Sequence, residues 1–571
     1  MAELNHRLTA PKYHAPTLPA GAQLKPFRKI LGIHANGHDA NVSIVQDGSV
    51  TEVIEFERVF REKHCRLNVL HPRFDRYMDW LFRSHGIGTD FDAVALHLHN
   101  FGSEPREYTE MVQSRAVEVL SSYLPDAHYL QLSHHLCHAA SGYFTSPFDD
   151  AVILSFDGHG HDGSTVGFHG KGSALNYVRG WPCSMGRAYS ALSNIIGGIH
   201  AKDGNAAGKV MGLTAYGKLV PEWMAPIRRF IETYTGLRSE FSPLYWEASV
   251  ADGVFELPGF GAIEGKEAFK GPEDPQAQNF AATYQHVWSS VVQDMVKELI
   301  ATTGTRRVCL VGGCALNATT NYDILHMPEV EDLHLIPNPS DCGLSAGAAL
   351  YTAYAYQNGH WGGARDRYAS AYLGLPILDI DKLEPLASQR GAKRLVSPAA
   401  ELAEIIAAGA KIGVMQGRAE VGPRALGNRS IICDPRRADM KDLINQQIKG
   451  REWYRPFAPV VREGEQDRYF VMPRPAPYMS FIADVRPEWK DLVPAIVHAD
   501  GTTRVQTVTF EQNPFLWELL GAFEKATGIG MLLNTSFNGR GEAIYSRISE
   551  ALNLLDTTDL DGVYVEGVLF Q

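Results

Sequence analysis

The sequence predicts an α/β protein of two domains, the first built from a duplicated unit. Three observations lead there. Residues 29–57 (KILGIHANGHDANVSIVQDGSVTEVIEFE) read as strand, loop, strand, Asp47-Gly48 turn and strand, and Asp-Gly between alternating apolar runs is a strong hairpin signal. Residues 151–181 (AVILSFDGHGHDGSTVGFHGKGSALNYVRGW) repeat the plan: a strand ends in Asp157-Gly158, a Gly-rich loop follows, and two short strands come after Asp162-Gly163 and Lys171-Gly172. Finally, 571 residues exceed one ordinary core. Helical stretches over 73–85, 107–124 and 185–196 lie between and after the meanders. Two β-meander units followed by helices, with a nucleotide cleft between halves, form the plan of actin, the sugar kinases and the chaperone ATPases.

Composition bounds the function classes. A hydrophobic share of 45% with 21% charged residues is that of a soluble globular protein. No apolar run approaches a membrane span, and residues 1–28, carrying Pro11, Pro16, Pro19 and Pro26, read as a loose arm without the basic-then-apolar order of a signal peptide. The seven cysteines form no C-x-x-C pair, which argues against structural zinc and disulfides. A cytoplasmic protein without membrane partners is expected. A net charge of −12 disfavours a nucleic-acid partner, and a homodimer is the default assembly. Val568-Leu569-Phe570-Gln571 resembles a protease-site remnant, but Gly567 does not match that site and a natural final strand is expected.

Between the two meanders runs Ser133-His134-His135-Leu136-Cys137-His138. In a helix, His134 and His138 stand at i and i+4 on one face, where two imidazoles can share one metal ion; a capped, solvated helix start with Ser133 as N-cap is the plain alternative. Further on, Gly208-Lys209-Val210-Met211-Gly212 precedes a small-residue stretch, 230–275 has no clear period, and 279–303 forms a long amphipathic helix. A strand over 307–311 runs into Gly312-Gly313, where backbone N–H groups can approach a phosphate or ribose. A strand over 333–337 leads through Asn338-Pro339-Ser340-Asp341 into a helix over 344–356, and Asp341 there can be a simple cap.

Around 358–379 the texture changes to Gly, Arg and Pro, a domain boundary. The three parts are therefore 1–28, 29–365 and 366–571. In the last, Arg418, Arg424 and Arg429 alternate with Gly417, Gly422 and Gly427; Lys449, Arg451 and Arg455 follow beside Trp453, Tyr454 and Phe457; and Arg504 precedes a strand over 531–534. Cations in Gly/Pro-rich loops next to aromatics suit a concave anion site better than a solvated face.

Nine segments in order resemble the NodU/CmcH family of O-carbamoyltransferases: HDA at His38, FERVFREKH, HHLCHA, GKVMGL, GGCALNAT, GPRALGNRSI, REWYRPFAP, DGTTRVQTV and NTSFN. The resemblance implies an actin/sugar-kinase-like, TsaD-like first domain followed by an α+β YrdC-like domain. It implies carbamoyl adenylate made from carbamoyl phosphate and Mg-ATP in the second domain, then transfer of the carbamoyl group to a substrate hydroxyl in the first, where a divalent metal assists. By the same resemblance His134, His138, Asp157 and Asp341 are metal ligands, Fe²⁺ first and Mn²⁺, Co²⁺ or Zn²⁺ as alternatives. His38 is the acid/base group near the acceptor hydroxyl, and Lys63 faces the carbamoyl or phosphate group. Lys209, Gly212, Gly313 and Asn317 line the first domain's nucleotide site. Lys449, Arg455, Arg504, Asn534 and Ser536 hold carbamoyl phosphate, and Arg418 and Arg424 help hold ATP.

The chain departs from the family pattern at Cys137, in the histidine-rich loop 158–162 and at Lys202-Asp203-Gly204-Asn205, which is expected to border the acceptor pocket. The acceptor is expected to be a small hydroxylated natural product (an antibiotic, toxin or glycoside), its pocket set by 67–72, 101–106 and 230–275. A tRNA threonylcarbamoyl-type modifier and a non-enzymatic actin-type nucleotide switch are the alternatives. The first lacks a broad positive surface, and the second has no use for the arginine loops. Hydrogenase maturation factors share the chemistry but carry zinc-finger segments, and no C-x-x-C is present.

Overall fold

The computed structural model describes residues 26–99, 106–160, 163–199, 206–234, 256–263, 268–356 and 370–571. The arm before residue 26, the His161-Asp162 pair, Lys202–Asn205, 101–105, much of 230–275 and the expected boundary at 365/366 lie outside the described residues. The chain divides into two compact units, one comprising Met1–Phe56 and His64–Tyr368, the other Glu57–Lys63 and Ala369–Gln571. Lys63, inside the expected first domain by sequence position, thus belongs to the second unit.

The first unit holds two five-stranded sheets of identical topology. In one, β1 (Lys29–Ala35), β2 (Asn41–Gln46), β3 (Ser49–Glu55), β4 (Ala93–Leu98) and β5 (His128–Gln131) lie in the order β3-β2-β1-β4-β5. The meander β1–β3 is antiparallel, and β4 and β5 run parallel to β1. In the other, β6 (Asp150–Gly160), β7 (Gly163–Lys171) and β8 (Ala174–Trp181) form the meander. After a two-stranded ribbon, β9 (Glu256–Leu257) with β10 (Gly261–Ala262), the strands β11 (Arg307–Val311) and β12 (Asp332–His334) complete the order β12-β11-β6-β7-β8. Both again run parallel to β6. The duplication read from the sequence is therefore present strand for strand. The first hairpin turns at Asp47 (φ 51°) and Gly48 (φ 82°), two positive φ values in succession that match the right-handed twist of the flanking strands.

Helix placement follows the sequence reading with local changes. The stretch expected as helix over 73–85 is an α-helix, Pro72–Asp79, continued by a wider π-type turn, Trp80–His85. The long helix spans Pro275–Thr303 and is capped by Asp274, whose carboxylate accepts from the Gln276 N–H. The helix His134–Phe144 is buried along its whole length and packs on the buried helix Leu344–Tyr351. A Cβ on Gly347 would come within 1.9 Å of the Cys137 carbonyl oxygen, and one on Gly32 within 2.0 Å of the Ser345 carbonyl oxygen. Glycine at these two points lets β1 and the two helices approach closely.

The second unit is α+β. Its main sheet has the order β13-β23-β22-β14-β15-β21-β16-β20, made of β13 (Lys393–Arg394), β14 (Ile412–Met415), β15 (Arg429–Cys433), β16 (Ala458–Arg462), β20 (Gln506–Val508), β21 (Met531–Ser536), β22 (Gly562–Val565) and β23 (Val568–Phe570). A smaller sheet joins β17 (Phe470–Val471), β18 (Ile482–Val485) and β19 (Thr502–Arg504). Helices Pro398–Ala407 and Pro514–Thr527 pack together, burying Leu402, Ile406, Leu516, Leu519 and Phe523 against Ile412, Val414, Ile432 and Leu532. The final Val568-Leu569-Phe570 pairs with β22 and β13. Segment 57–63 is fastened by side chains of this unit: Arg58 Nη2 donates to the Gly422 carbonyl at 2.6 Å and Arg61 Nε pairs with Glu550 at 3.1 Å.

The tight packing at Gly347 yields a test. Gly347→Ala should cost on the order of 3 kcal/mol, the overpacking penalty where the opposing atom is backbone, read as a shift in the urea midpoint at constant slope. An unchanged midpoint would mean the helices separate without cost.

Candidate functional site

In the first unit, the opening turns of the helix His134–Phe144 set His134 and His138 with ring centroids 4.6 Å apart. His135, one residue round the helix, points elsewhere and bonds to Ser155 Oγ at 2.7 Å and the Gly163 carbonyl at 3.0 Å. Strand β6 does not end at Asp157-Gly158 as the sequence suggested but runs to Gly160; its ladder with β7 becomes irregular after Phe156. Asp157 sits in that irregularity, with Oδ2 3.1 Å from His138 Nε2 and 3.6 Å from His134 Nε2. The neighbouring glycines make room: a Cβ on Gly313 would meet Asp157 Oδ1 at 3.0 Å, and one on Gly186 would meet the Gly158 N–H at 2.7 Å.

Asp341 is not a helix cap. Ser340 occupies the cap position, and Asp341 Oδ1 lies 3.4 Å from His138 Nε2 and 3.9 Å from His134 Nε2. Its backbone is fixed by Asn41, whose Nδ2 donates to the Asp341 carbonyl at 2.8 Å while Oδ1 accepts from Ser345. One donor atom from each of His134, His138, Asp157 and Asp341 lies within 4.8 Å of every other. Neither ring nitrogen of His134 makes a hydrogen bond, nor does His138 Nδ1. Buried imidazole nitrogens left without such partners, facing two carboxylates, fit a divalent cation of the Fe²⁺, Mn²⁺, Co²⁺ or Zn²⁺ class. Burial alone would raise the Asp157 and Asp341 pKa values, but the histidines around them hold both below the usual range. Conversely, burial would lower His138, but the two carboxylates raise it to about 9.

His38 Nε2 is 3.6 Å from Asp341 Oδ2, and its Nδ1 is 2.9 Å from Asp39 Oδ2. The second Asp39 oxygen takes His64 Nδ1 at 2.8 Å. Asp39 therefore orients His38 as a carboxylate orients the histidine of a catalytic triad, leaving Nε2 for chemistry. Burial pulls the half-exposed His38 down, yet Asp341 and Asp39 together raise it to about 10. Asp39 (φ 55°) and His64 (φ 54°) both hold left-handed backbone, a conformation that costs non-glycine residues energy and clusters at functional positions. Both stand in motifs already singled out, HDA and REKH, where only His38 and Lys63 drew notice. His34, His97 and His99 extend the histidine cluster: His34 Nδ1 meets His97 Nδ1 at 2.8 Å, and the His99 ring lies 5.8 Å from that of His134.

The residues expected to line a nucleotide site have mixed fates. Lys209 and Gly212 lie on the helix Ala206–Leu213, and Gly313 opens the turn beside Asp157. The Asn317 amide is engaged in the fold. Its oxygen accepts from the Thr320 N–H at 3.2 Å as a helix cap, and its nitrogen donates to Gln285 at 3.0 Å.

In the second unit the cations gather. Lys449, 4% exposed, donates through Nζ to Asn538 Oδ1 at 2.7 Å, the Asn538 carbonyl at 2.9 Å and the Ser536 carbonyl. Burial, then the charges of Arg451, Arg455 and Lys63, hold its pKa well below the ordinary lysine value. Arg504 is depressed by burial and by Arg424, Arg455 and Arg451; Arg451 by burial and Arg455; and Arg424 to about 10 by burial and Arg455. Asn534 and Ser536 both stand on β21. The Asn534 Nδ2 donates to Gln506 and the Ala425 carbonyl, while its Oδ1 is buried without a hydrogen bond. Arg451, named in the sequence among the loop cations of an anion site, joins them, and Asn538 is a member that sequence reasoning did not single out although it lies inside a quoted motif. Arg418 is used differently: its Nε and Nη2 donate to the Gly374 and Leu373 carbonyls at 2.8 and 2.7 Å. Arg429, fully buried, donates to the Gln416, Asn428 and Gly417 carbonyls. Like charges compressed in this way favour a bound polyanion, which is the arrangement a phosphate site requires.

Two measurements check these sites. His138 holds its proton up to about 9, so a divalent ion must expel that proton, and affinity should rise about tenfold per pH unit below that value and level off above it. Co²⁺ titration across pH reads this, and a flat profile would contradict it. In the second unit, Lys449 is depressed, so a bound anion raises its pKa and draws in a proton. Calorimetry of phosphate or ATP binding in buffers of different ionisation enthalpy should show proton uptake, with affinity falling as pH rises, and Lys449→Met should abolish the uptake.

Comparison with known proteins agrees with both halves. Residues 103–350 match the family described as "Carbamoyltransferase N-terminus" and 403–571 that described as "Carbamoyltransferase C-terminus". Nodulation protein NolNO of Sinorhizobium fredii is 32% identical over 562 residues, covering 94% of this chain and 79% of that protein. Nodulation protein NolO of Bradyrhizobium diazoefficiens is 33% identical over 446 residues, covering 76% and 78%. Among solved structures, T. kodakarensis HypF is a distant likeness, with 16% identity and a TM-score of 0.34 over 60% of this chain and 49% of that one. The chain belongs to the carbamoyltransferase family and is a transferase.

Proposed function

We infer that this enzyme forms carbamoyl adenylate from carbamoyl phosphate and ATP in its second unit, and transfers the carbamoyl group in its first unit to a hydroxyl of a small natural product. The observation that carries the reading is a group of buried cations around Arg455: burial, and then the charge of Arg455 among others, lowers Lys449, Arg424, Arg451 and Arg504, and cations fixed in advance stabilise charge developing on phosphoryl oxygens without reorganisation. The equal strand orders of the first unit's sheets support an actin/sugar-kinase-like, TsaD-like fold, and the mixed sheet of the second supports a YrdC-like one.

In the second unit, Lys449, Arg455, Arg504, Asn534 and Ser536 bind carbamoyl phosphate, joined by Arg451 and Asn538, and Arg424 contributes to ATP. Carbamoyl phosphate yields its phosphate to water, and the carbamate oxygen displaces pyrophosphate at the α-phosphorus of ATP. In the first unit, His134, His138, Asp157 and Asp341 would hold a divalent metal, which when bound would supply Lewis-acid polarisation of a carbonyl or phosphoryl oxygen. Charge compensation at Asp341 would remove part of the field that keeps His38 protonated. His38, held at Nδ1 by Asp39, then accepts the acceptor hydroxyl's proton at Nε2 as the carbamoyl carbon is attacked and AMP leaves.

Separating the half-reactions tests the division. With ATP, Mg²⁺ and carbamoyl phosphate, Arg455→Ala should lose pyrophosphate release by at least about 10²-fold. His38→Ala should retain release and lose carbamoylated product from a panel of hydroxylated natural products. Equal loss of both steps in His38→Ala would refute the assignment of one step to each unit.

A further inference from the structure

The histidines behind His134 have no part in the transfer chemistry just described. His97, on β4, and His99, just past its end, stand two positions apart and are buried at 0% and 4% exposure. A ring nitrogen from each of His97, His99 and His134 lies within 4.8 Å of the other two. The ring centroids are 5.3 Å (97–134), 5.8 Å (99–134) and 6.2 Å (97–99) apart. Three imidazoles around one tetrahedral ion at a metal–nitrogen distance of about 2 Å place their centroids roughly 5–6 Å apart. Glycine at 37 is part of the fit, since a Cβ there would come 2.9 Å from His99 Cβ.

The proton positions on His34 and His97 follow from one carbonyl. His34 Nε2 is 2.9 Å from the His38 carbonyl oxygen, which can only accept, so the His34 proton sits on Nε2. His34 Nδ1 faces His97 Nδ1 at 2.8 Å with one proton between them. A neutral His34 accepts at Nδ1, so the shared proton belongs to His97 Nδ1, and a neutral His97 presents its lone pair at Nε2. An imidazole oriented by a hydrogen bond from one ring N–H is the way proteins prepare a histidine ligand. His134, whose two ring nitrogens make no hydrogen bond, is common to this set and to the carboxylate-bearing one.

We propose that His97, His99 and His134 form a second divalent-cation site, with His134 bridging the two ions as an imidazolate, Nε2 toward the carboxylate-bearing set and Nδ1 toward the second site, its ring proton released to solvent. It rests on the reading of His134 as a ligand. A donor set of imidazoles alone suits borderline ions such as Zn²⁺, Co²⁺, Ni²⁺ or Cu²⁺, whereas the carboxylate-bearing set also accepts harder ions such as Mn²⁺.

The test is Co²⁺ stoichiometry on the full chain by elemental analysis after gel filtration, with visible spectra to report imidazole coordination. Wild-type protein should retain two equivalents, the His97→Gln, His99→Gln pair one, and the Asp157→Asn, Asp341→Asn pair one. A single equivalent in wild type that survives the His97/His99 pair overturns the second site and leaves the first standing. A single equivalent lost with that pair but kept in the aspartate pair supports the tris-imidazole site and overturns the carboxylate reading. No bound Co²⁺ in wild type overturns both. Should the histidine pair fail to fold, the aspartate pair decides: an equivalent retained there supports the tris-imidazole site, and none retained overturns it.

Discussion

Two carboxylates brought together inside a protein repel unless something positive lies between or beside them, and much of the first unit's design follows from that constraint. Asp157 comes from an irregular stretch of β6 and Asp341 from the turn before the helix Leu344–Tyr351, and the imidazoles of His134, His138 and His38 surround them. Burial by itself would keep such acids protonated; the histidines reverse the outcome. Meeting the constraint requires an irregular ladder in β6 and glycines at 186, 312 and 313 that yield space around Asp157. It also requires Gly347, whose missing side chain lets one helix press against the Cys137 carbonyl of the other. In the absence of a cation the balance is kept by protons, which ties the chemistry of the centre to pH.

The second unit solves the opposite problem. Its cations are buried around Arg455, whose charge adds to burial in lowering Lys449, Arg424, Arg451 and Arg504. Arg418 and Arg429, whose guanidinium groups donate to backbone carbonyls, hold loops in shape, whereas Arg424 from the same segment is buried beside another cation, Arg455. Residue type and spacing do not distinguish these uses, because both occur in Gly-rich loops; the carbonyl geometry around each guanidinium does.

Legibility in the sequence followed this pattern. The Asp47-Gly48 hairpin and the repeated meander were legible because turn chemistry and period-2 alternation are local. The i, i+4 pair in the first turns of the His134 helix was legible for the same reason. Asp341 was ambiguous, since an acid before a helix serves equally as cap or ligand until the neighbouring strand end is in place. His97 and His99 escaped notice because an alternating pair inside an apolar run looks like any buried strand. Asn538 stood in a quoted motif but had no local mark setting it apart. The position of Lys63 was hidden altogether: no change of composition announces that seven residues leave one unit for another.

That seven-residue excursion has a consequence for how the protein can be dissected. A boundary drawn by composition near residue 365 looks like a place to separate two independent modules, yet a fragment starting there would lack residues 57–63. The Gly422 carbonyl would lose the guanidinium of Arg58 and Glu550 would lose Arg61. The two units are consequently interleaved along the chain and not strung in series. Neither can be exchanged between relatives as a single cassette, and inheritance of the second unit carries with it a short piece of sequence embedded in the first.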